Sequence, residues 1–103
     1  MVIEWLAFWV DEGNRERFIQ IDDDIWTKAL AQYPGFLGKD VWISHESRTE
    51  VITVVHWETE QAWDSIPQAD LDQVEAQFMA AMGQGTYELR EAKKYFLRKS
   101  SRG

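Results

Sequence analysis

Pro34-Gly35-Phe36-Leu37-Gly38-Lys39-Asp40-Val41-Trp42-Ile43, followed by Val51-Ile52-Thr53-Val54-Val55-His56-Trp57-Glu58-Thr59-Glu60-Gln61-Ala62-Trp63, decides the fold of this 103-residue chain. Proline and glycine break whatever precedes them. β-Branched and aromatic residues then run from Lys39 to Glu46 and from Glu50 to Trp57, joined by Ser47-Arg48-Thr49, and predict a hairpin. Thr59 is placed to cap a short helix carrying Ala62, Trp63 and Ile66, interrupted at Pro67. Upstream, Val2 to Val10 is apolar on both parities, with Val2, Leu6, Phe8 and Val10 on one side and Ile3, Trp5, Ala7 and Trp9 on the other. That is the pattern of a strand covered on both faces. Asp11-Glu12-Gly13-Asn14 ends it. From Arg15 to Tyr33 the residues Phe18, Ile19, Ile21, Ile25, Trp26, Ala29, Leu30 and Tyr33 fall within about half the circumference of a helix, which Pro34-Gly35 terminates. Downstream, Asp70 is expected to cap a helix whose Leu71, Val74, Phe78 and Met82 repeat at helical spacing until Gly83. Thr86 to Arg98 is expected to form the last strand, and 99–103 a flexible C-terminal tail behind a single domain over 1–98.

The order is βαββαβ, with the second helix broken in two. Right-handed crossovers put both helices on one face of a four-stranded antiparallel sheet, an α+β, ferredoxin-like arrangement. The opposite face is then left bare although one apolar side of the first strand must lie on it. On the third strand either Ile52, Val54 and His56 or Val51, Thr53, Val55 and Trp57 join it. An exposed apolar sheet of this extent is a partner surface, and the simplest partner is a second copy in a symmetric dimer.

Composition excludes several functions. Eleven Lys and Arg against 18 Asp and Glu give a formal charge of −7, which disfavours binding to a phosphate backbone, so no nucleic-acid partner is expected. There is no cysteine, hence no disulfide, thiolate nucleophile or thiolate metal site. Met1-Val2-Ile3-Glu4-Trp5 lacks the basic start of a secretory signal, and no apolar run is long enough to span a membrane. These features predict a soluble cytoplasmic domain with no membrane partner. No phosphate-binding glycine loop and no nucleophile elbow are present. His45 and His56 lie at opposite ends of the predicted hairpin, about 17 Å apart at the rise of a strand, so they do not share a metal. No metal and no cofactor are expected.

The βαββαβ order, the Pro34-Gly35-Phe36-Leu37-Gly38 entry to the second strand and the passage His56-Trp57-Glu58-Thr59-Glu60-Gln61-Ala62 resemble the antibiotic biosynthesis monooxygenase superfamily, most closely a small uncharacterised branch of it. The resemblance covers Val2 to about Arg98. It implies a dimeric α/β barrel and a pocket between sheet and helices within each subunit. Members include quinone-forming monooxygenases, haem-degrading enzymes and proteins without known activity, so function has to be read from the site. The family's tryptophan at the end of the third strand is matched by Trp57. Its asparagine on the first strand falls near Leu6, and residues 62–82 hold no histidine to ligate haem iron, so haem degradation is disfavoured. The residues expected at the pocket are Leu6, Asp22, Trp26, Trp57 and Trp63.

Two side chains are candidates for acid–base chemistry. Asp22 follows Phe18 by four positions, so a carboxylate sits inside the apolar arc of the first helix, one turn before Trp26. Burial costs it several kcal/mol unless it is paired or protonated; Arg90 or Lys94 on the last strand is the expected cation. His56 faces Asp40 across the hairpin when Glu46 pairs with Glu50. Three functions follow: a homodimer binding a small hydrophobic or aromatic molecule, a cofactor-independent monooxygenase acting on an aromatic or quinone-like substrate, and a non-catalytic structural dimer. The sequence alone leaves open whether the chain is an enzyme.

Overall fold

A computed structural model describes residues 1–102. β1 (Val2–Val10) leads through a 3₁₀ turn (Glu12–Asn14) into α1 (Arg15–Asp22), a π-helical turn (Asp23–Thr27) and α2 (Lys28–Leu30). β2 (Phe36–Ile43), β3 (Glu50–Trp57), α3 (Glu60–Asp64), α4 (Gln68–Met82) and β4 (Tyr87–Phe96) follow. The sheet order is β2-β3-β1-β4 with every neighbour antiparallel, the ferredoxin-like arrangement predicted.

The strand faces follow from parity. Leu6 stands opposite Thr53, and Glu4 opposite Val55. Even positions of β1 and odd positions of β3 therefore lie under the helices, where Val51, Thr53, Val55 and Trp57 are buried. Ile52, Val54 and His56 occupy the open face with Ile3, Trp5, Ala7 and Trp9. That face is less bare than expected. Lys93 lies 5.1 Å from the Trp5 ring centre and Arg90 lies 5.8 Å from that of Trp9. Arg90 is the extra residue of a β-bulge, since Ala7 pairs with Glu91 but Phe8 with Leu89, and the bulge swings its side chain over the indole.

Several boundaries differ from the sequence reading. β2 spans Phe36–Ile43 rather than Lys39 to Glu46, because Ser44 takes a turn instead, its hydroxyl accepting from the Glu46 and Ser47 amides. The register consequently moves by two: His56 pairs with Gly38 and Asp40 with Val54. The first helix ends at Leu30 and contains a π turn that apolar periodicity does not reveal. Asp70 does not cap α4, which starts after Pro67; its carboxylate accepts from the Tyr33 hydroxyl at 2.7 Å. Thr59 caps α3 as expected, its hydroxyl accepting from the Ala62 amide at 3.0 Å. β4 is shorter than predicted, and 97–102 have no regular secondary structure. Gly103, the last residue of the expected tail, lies outside the described residues.

Pro34-Gly35 does more than stop a helix. Gly35 has φ +90°, and a Cβ there would stand 2.5 Å from the Ala62 Cβ. Only glycine lets this turn press against α3, and the Glu58 amide donates to the Gly35 carbonyl at 2.8 Å. Two packed clusters hold the helices on the sheet. One joins Val2, Leu30, Val55, Trp57 and Ile66; the other joins Val10, Phe18, Val51, Phe78 and Met82, and Trp26 packs against both. Between them the layers part.

Candidate functional site

The gap between the clusters is a cavity of about 660 Å³. Its walls are largely apolar: Leu6 and Phe8 from β1, Trp26 and Leu30 from the first helical rod, Val55 and Trp57 from β3, and Trp63, Ile66, Leu71 and Met79 from α3, α4 and the bend between them. All five residues expected at the pocket, Leu6, Asp22, Trp26, Trp57 and Trp63, line this one cavity. His56 does not. It lies on the open face of the sheet, where its Nε2 is 3.1 Å from Asp40 Oδ2. The sequence reading found the right partner through the wrong register, since the contact is diagonal rather than directly across. His56 is thereby removed from the pocket chemistry.

Asp22 is 4% exposed and paired with Lys39, whose Nζ lies 2.6 Å from Asp22 Oδ2. The cation comes from β2, and the expectation of Arg90 or Lys94 fails for a topological reason. Both of those lie on β4, the opposite edge of the sheet. Arg90 turns to Trp9 on the open face, and Lys94 is held by Glu60 while standing 4.9 Å from the Trp63 ring centre. Burial pushes the Asp22 carboxyl up, and Lys39 pulls it back only in part.

Sequence reasoning overlooked four polar residues on the wall. Glu4 shares the parity of Leu6 and Phe8 and so points under the helices; Lys39 shares that of Val41, which faces Thr53. A charge at an inward position of a strand was the available signal for both. Burial raises the Glu4 carboxyl, with smaller opposing effects from the Trp57 indole and from Lys39. The Trp57 Nε1–H is itself buried and lies beside the Glu4 carboxyl, outside the geometry of a well-formed hydrogen bond. Farther along the cavity, Glu75 accepts from Trp26 Nε1 at 3.2 Å and from the Tyr87 hydroxyl at 2.5 Å. Burial, followed by the Glu75 hydrogen bond, pushes the Tyr87 phenol far up. No periodicity argument pairs α4 with β4 at this point, so Glu75 and Tyr87 carried no signal in the sequence.

The arrangement is thus an apolar chamber with two polar ends. A family model for antibiotic biosynthesis monooxygenases matches residues 1–71. The chain belongs to this family. Among solved structures it is similar to a monooxygenase from the gene ActVA-Orf6 of Streptomyces coelicolor in complex with nanaomycin D, at 20% identity and a TM-score of 0.74, covering 99% of this chain and 91% of that one. It is also similar to SnoaB, a cofactor-independent oxygenase from Streptomyces nogalater, at 15% identity and a TM-score of 0.69, covering 96% and 94%. A mutant of MhuD with two manganese protoporphyrin IX bound per active site gives 19% identity and a TM-score of 0.67 over the full length of both chains. At these identities the likeness shows the fold. No curated protein sequence matches significantly. Proteins of this fold thus hold ligands as different as nanaomycin D and manganese protoporphyrin IX, so the side chains on the wall must carry the choice.

Proposed function

We propose that this family member is a homodimer that binds a small, mostly apolar aromatic molecule in the cavity between sheet and helices. The observation carrying the reading is a chamber of about 660 Å³ with apolar walls and a buried, partly unsatisfied polar end. Its size suits a ligand of a few fused rings, since small-molecule sites occupy roughly 300–1,000 Å³. Indole faces at Trp26, Trp57 and Trp63 offer aromatic contact. The dimer is supported by the open face, where Trp42 is 49% exposed beside Ile52 and the partly exposed Trp5 and Trp9. Native mass spectrometry of freshly purified protein tests both points. A dimer of about twice 12.1 kDa carrying an added organic mass is the expected result; a ligand-free monomer at micromolar concentration contradicts it.

A second reading, cofactor-independent oxygenation, is favoured by one specific observation: two carboxyl groups on the wall are raised by burial, as an acid–base group requires. A ring hydroxyl would give its proton to a carboxylate, and dioxygen would oxidise the electron-rich ring. One oxygen atom would replace the hydrogen para to the hydroxyl, leaving a quinone, and the other would depart as water with the two hydrogens released. Oxygen uptake with quinone formation from a hydroxylated polycyclic probe, in protein free of metal and flavin, tests this reading; stoichiometric binding without turnover removes it. Haem turnover is not expected, and bile-pigment-like products from haem and a reductant would contradict that expectation.

A further inference from the structure

His56 stands outside the cavity, on the sheet face that the helices leave open. It has Ile3 opposite on β1 and Gly38 opposite on β2, with Tyr95 of β4 beyond Ile3. Among the described residues its charged partner is Asp40, at 3.1 Å. The other acids on this face are placed differently. Glu91 is paired with Lys93 at 3.6 Å and Glu88 with Arg90 at 3.3 Å, both permanent cations, while Glu50 lies opposite Trp9 at the hairpin end. The strands of this face thus set four carboxylates, Asp40, Glu50, Glu88 and Glu91, against two permanent cations, and the proton on His56 decides between a net charge of −1 and −2. Glu4 and Asp22, the carboxyls raised by burial, lie on the helical side.

We propose that the His56–Asp40 pair makes the association of two copies through this face depend on pH, the dimer being favoured while His56 is protonated. The inference rests on the homodimer read above and adds its control. In the single chain the Asp40 side chain is 58% exposed, so water carries its charge and the pair contributes little. A second copy laid on the face removes that water, and a covered carboxylate then needs its counter-charge. Repulsion between the two faces acts in the same direction, because each sheds one unit of net negative charge when its histidine takes up a proton. Histidine is the side chain that ordinarily does so near neutrality. Burial beside a carboxylate favours the protonated ring in the dimer over the single chain. The resulting stabilisation of the dimer is present at the acid side and is lost as pH rises through the range in which the dimer's ring gives up its proton.

Fluorescence-detected sedimentation of the labelled wild-type chain, in concentration series from nanomolar upward, tests this between about pH 5.5 and about pH 8, the range in which histidine changes charge. The dissociation constant of the dimer should rise at least tenfold across it, the equivalent of about one unit of differential protonation at a single histidine. His56→Gln should give a constant that no longer changes with pH. Asp40→Asn should reverse the trend, since the cationic ring is then the stranded charge and the dimer weakens on the acid side. His45→Gln, at the chain's other histidine, exposed in the turn between β2 and β3, should keep the wild-type dependence. A wild-type dimer of equal strength at every pH overturns the proposal and leaves the dimer standing, as does a dependence that survives His56→Gln. A monomer at every pH and concentration overturns both.

Discussion

Each end of the cavity holds a carboxylate on its wall and an indole N–H, and the two ends are wired differently. At the α4 end, Trp26 and Tyr87 both donate to Glu75, so acceptor and donors are matched inside the protein. At the β1–β3 end, Lys39 satisfies Asp22, while the Trp57 N–H lies buried beside Glu4 without closing a well-formed hydrogen bond. The first end fixes α4 and the helical rod to β4. The second is stabilised by one ion pair and sets a buried indole N–H, short of a well-formed hydrogen bond, beside a carboxylate whose charge burial disfavours. A saturated polar cluster serves the fold, whereas an unsaturated one lowers stability and is compensated when something binds.

Substitutions should separate the two ends, beginning with the ion pair. Lys39→Met leaves Asp22 buried with no counter-charge, and a loss of about 3–5 kcal/mol in urea unfolding is expected, the cost of stranding one partner of a buried pair. Asp22→Asn should cost less, because Lys39 also feels Glu4 and can turn towards it. Equal losses from both substitutions would mean that Glu4 contributes nothing to that end. At the other end, Glu75→Leu strands the Trp26 N–H and the Tyr87 hydroxyl, both partly buried, and should lower stability by about 1–3 kcal/mol in the same unfolding measurement. An unchanged stability would show that neither hydrogen bond to Glu75 holds α4 to its neighbours.

Glu4→Gln gives the smallest effect and one of opposite sign. Burial raises the Glu4 carboxyl above its ordinary value of 4.5, so folding favours the protonated group. The stabilisation this brings to the wild-type chain is fully present below 4.5 and is lost as pH rises through the raised value. The amide mimics the protonated form at every pH. Glu4→Gln should therefore melt above the wild-type protein at neutral pH, with the difference closing as pH falls towards 4.5. A melting temperature below wild type at pH 7 would instead show that the charged carboxylate has a stabilising partner.

Much of this was legible in the chain. The Pro34-Gly35 break, the hairpin, the capping Thr59 and the two-sided apolar β1 give the βαββαβ order because each is a local signal. Asp22 stood out because a carboxylate inside an apolar helical arc demands an explanation. Its partner did not, since whether β2 or β4 lies nearer that point of the helix depends on tertiary packing. The register of the hairpin was missed by two because Ser44 ends β2 with a side-chain-capped turn, which β-propensity does not register. The π turn at Asp23–Thr27 leaves the apolar pattern nearly unchanged and so was invisible. Glu4 and Lys39 were within reach: strand parity alone points both inward, and an inward charge on a sheet warrants the same question as Asp22.

The central claim, that ligand enters at the unsaturated end, is tested most directly by the indole N–H resonances of the six tryptophans in a proton–nitrogen correlation spectrum. Trp57→Phe and Trp26→Phe identify two of them by loss of a peak. On titration with 1-naphthol, the Trp57 indole signal should move downfield and gain protection from solvent exchange as its N–H acquires an acceptor, while the Trp26 signal, already bound to Glu75, stays within its linewidth. A Trp26 signal that moves while Trp57 stays fixed would place the ligand at the other end and contradict the account.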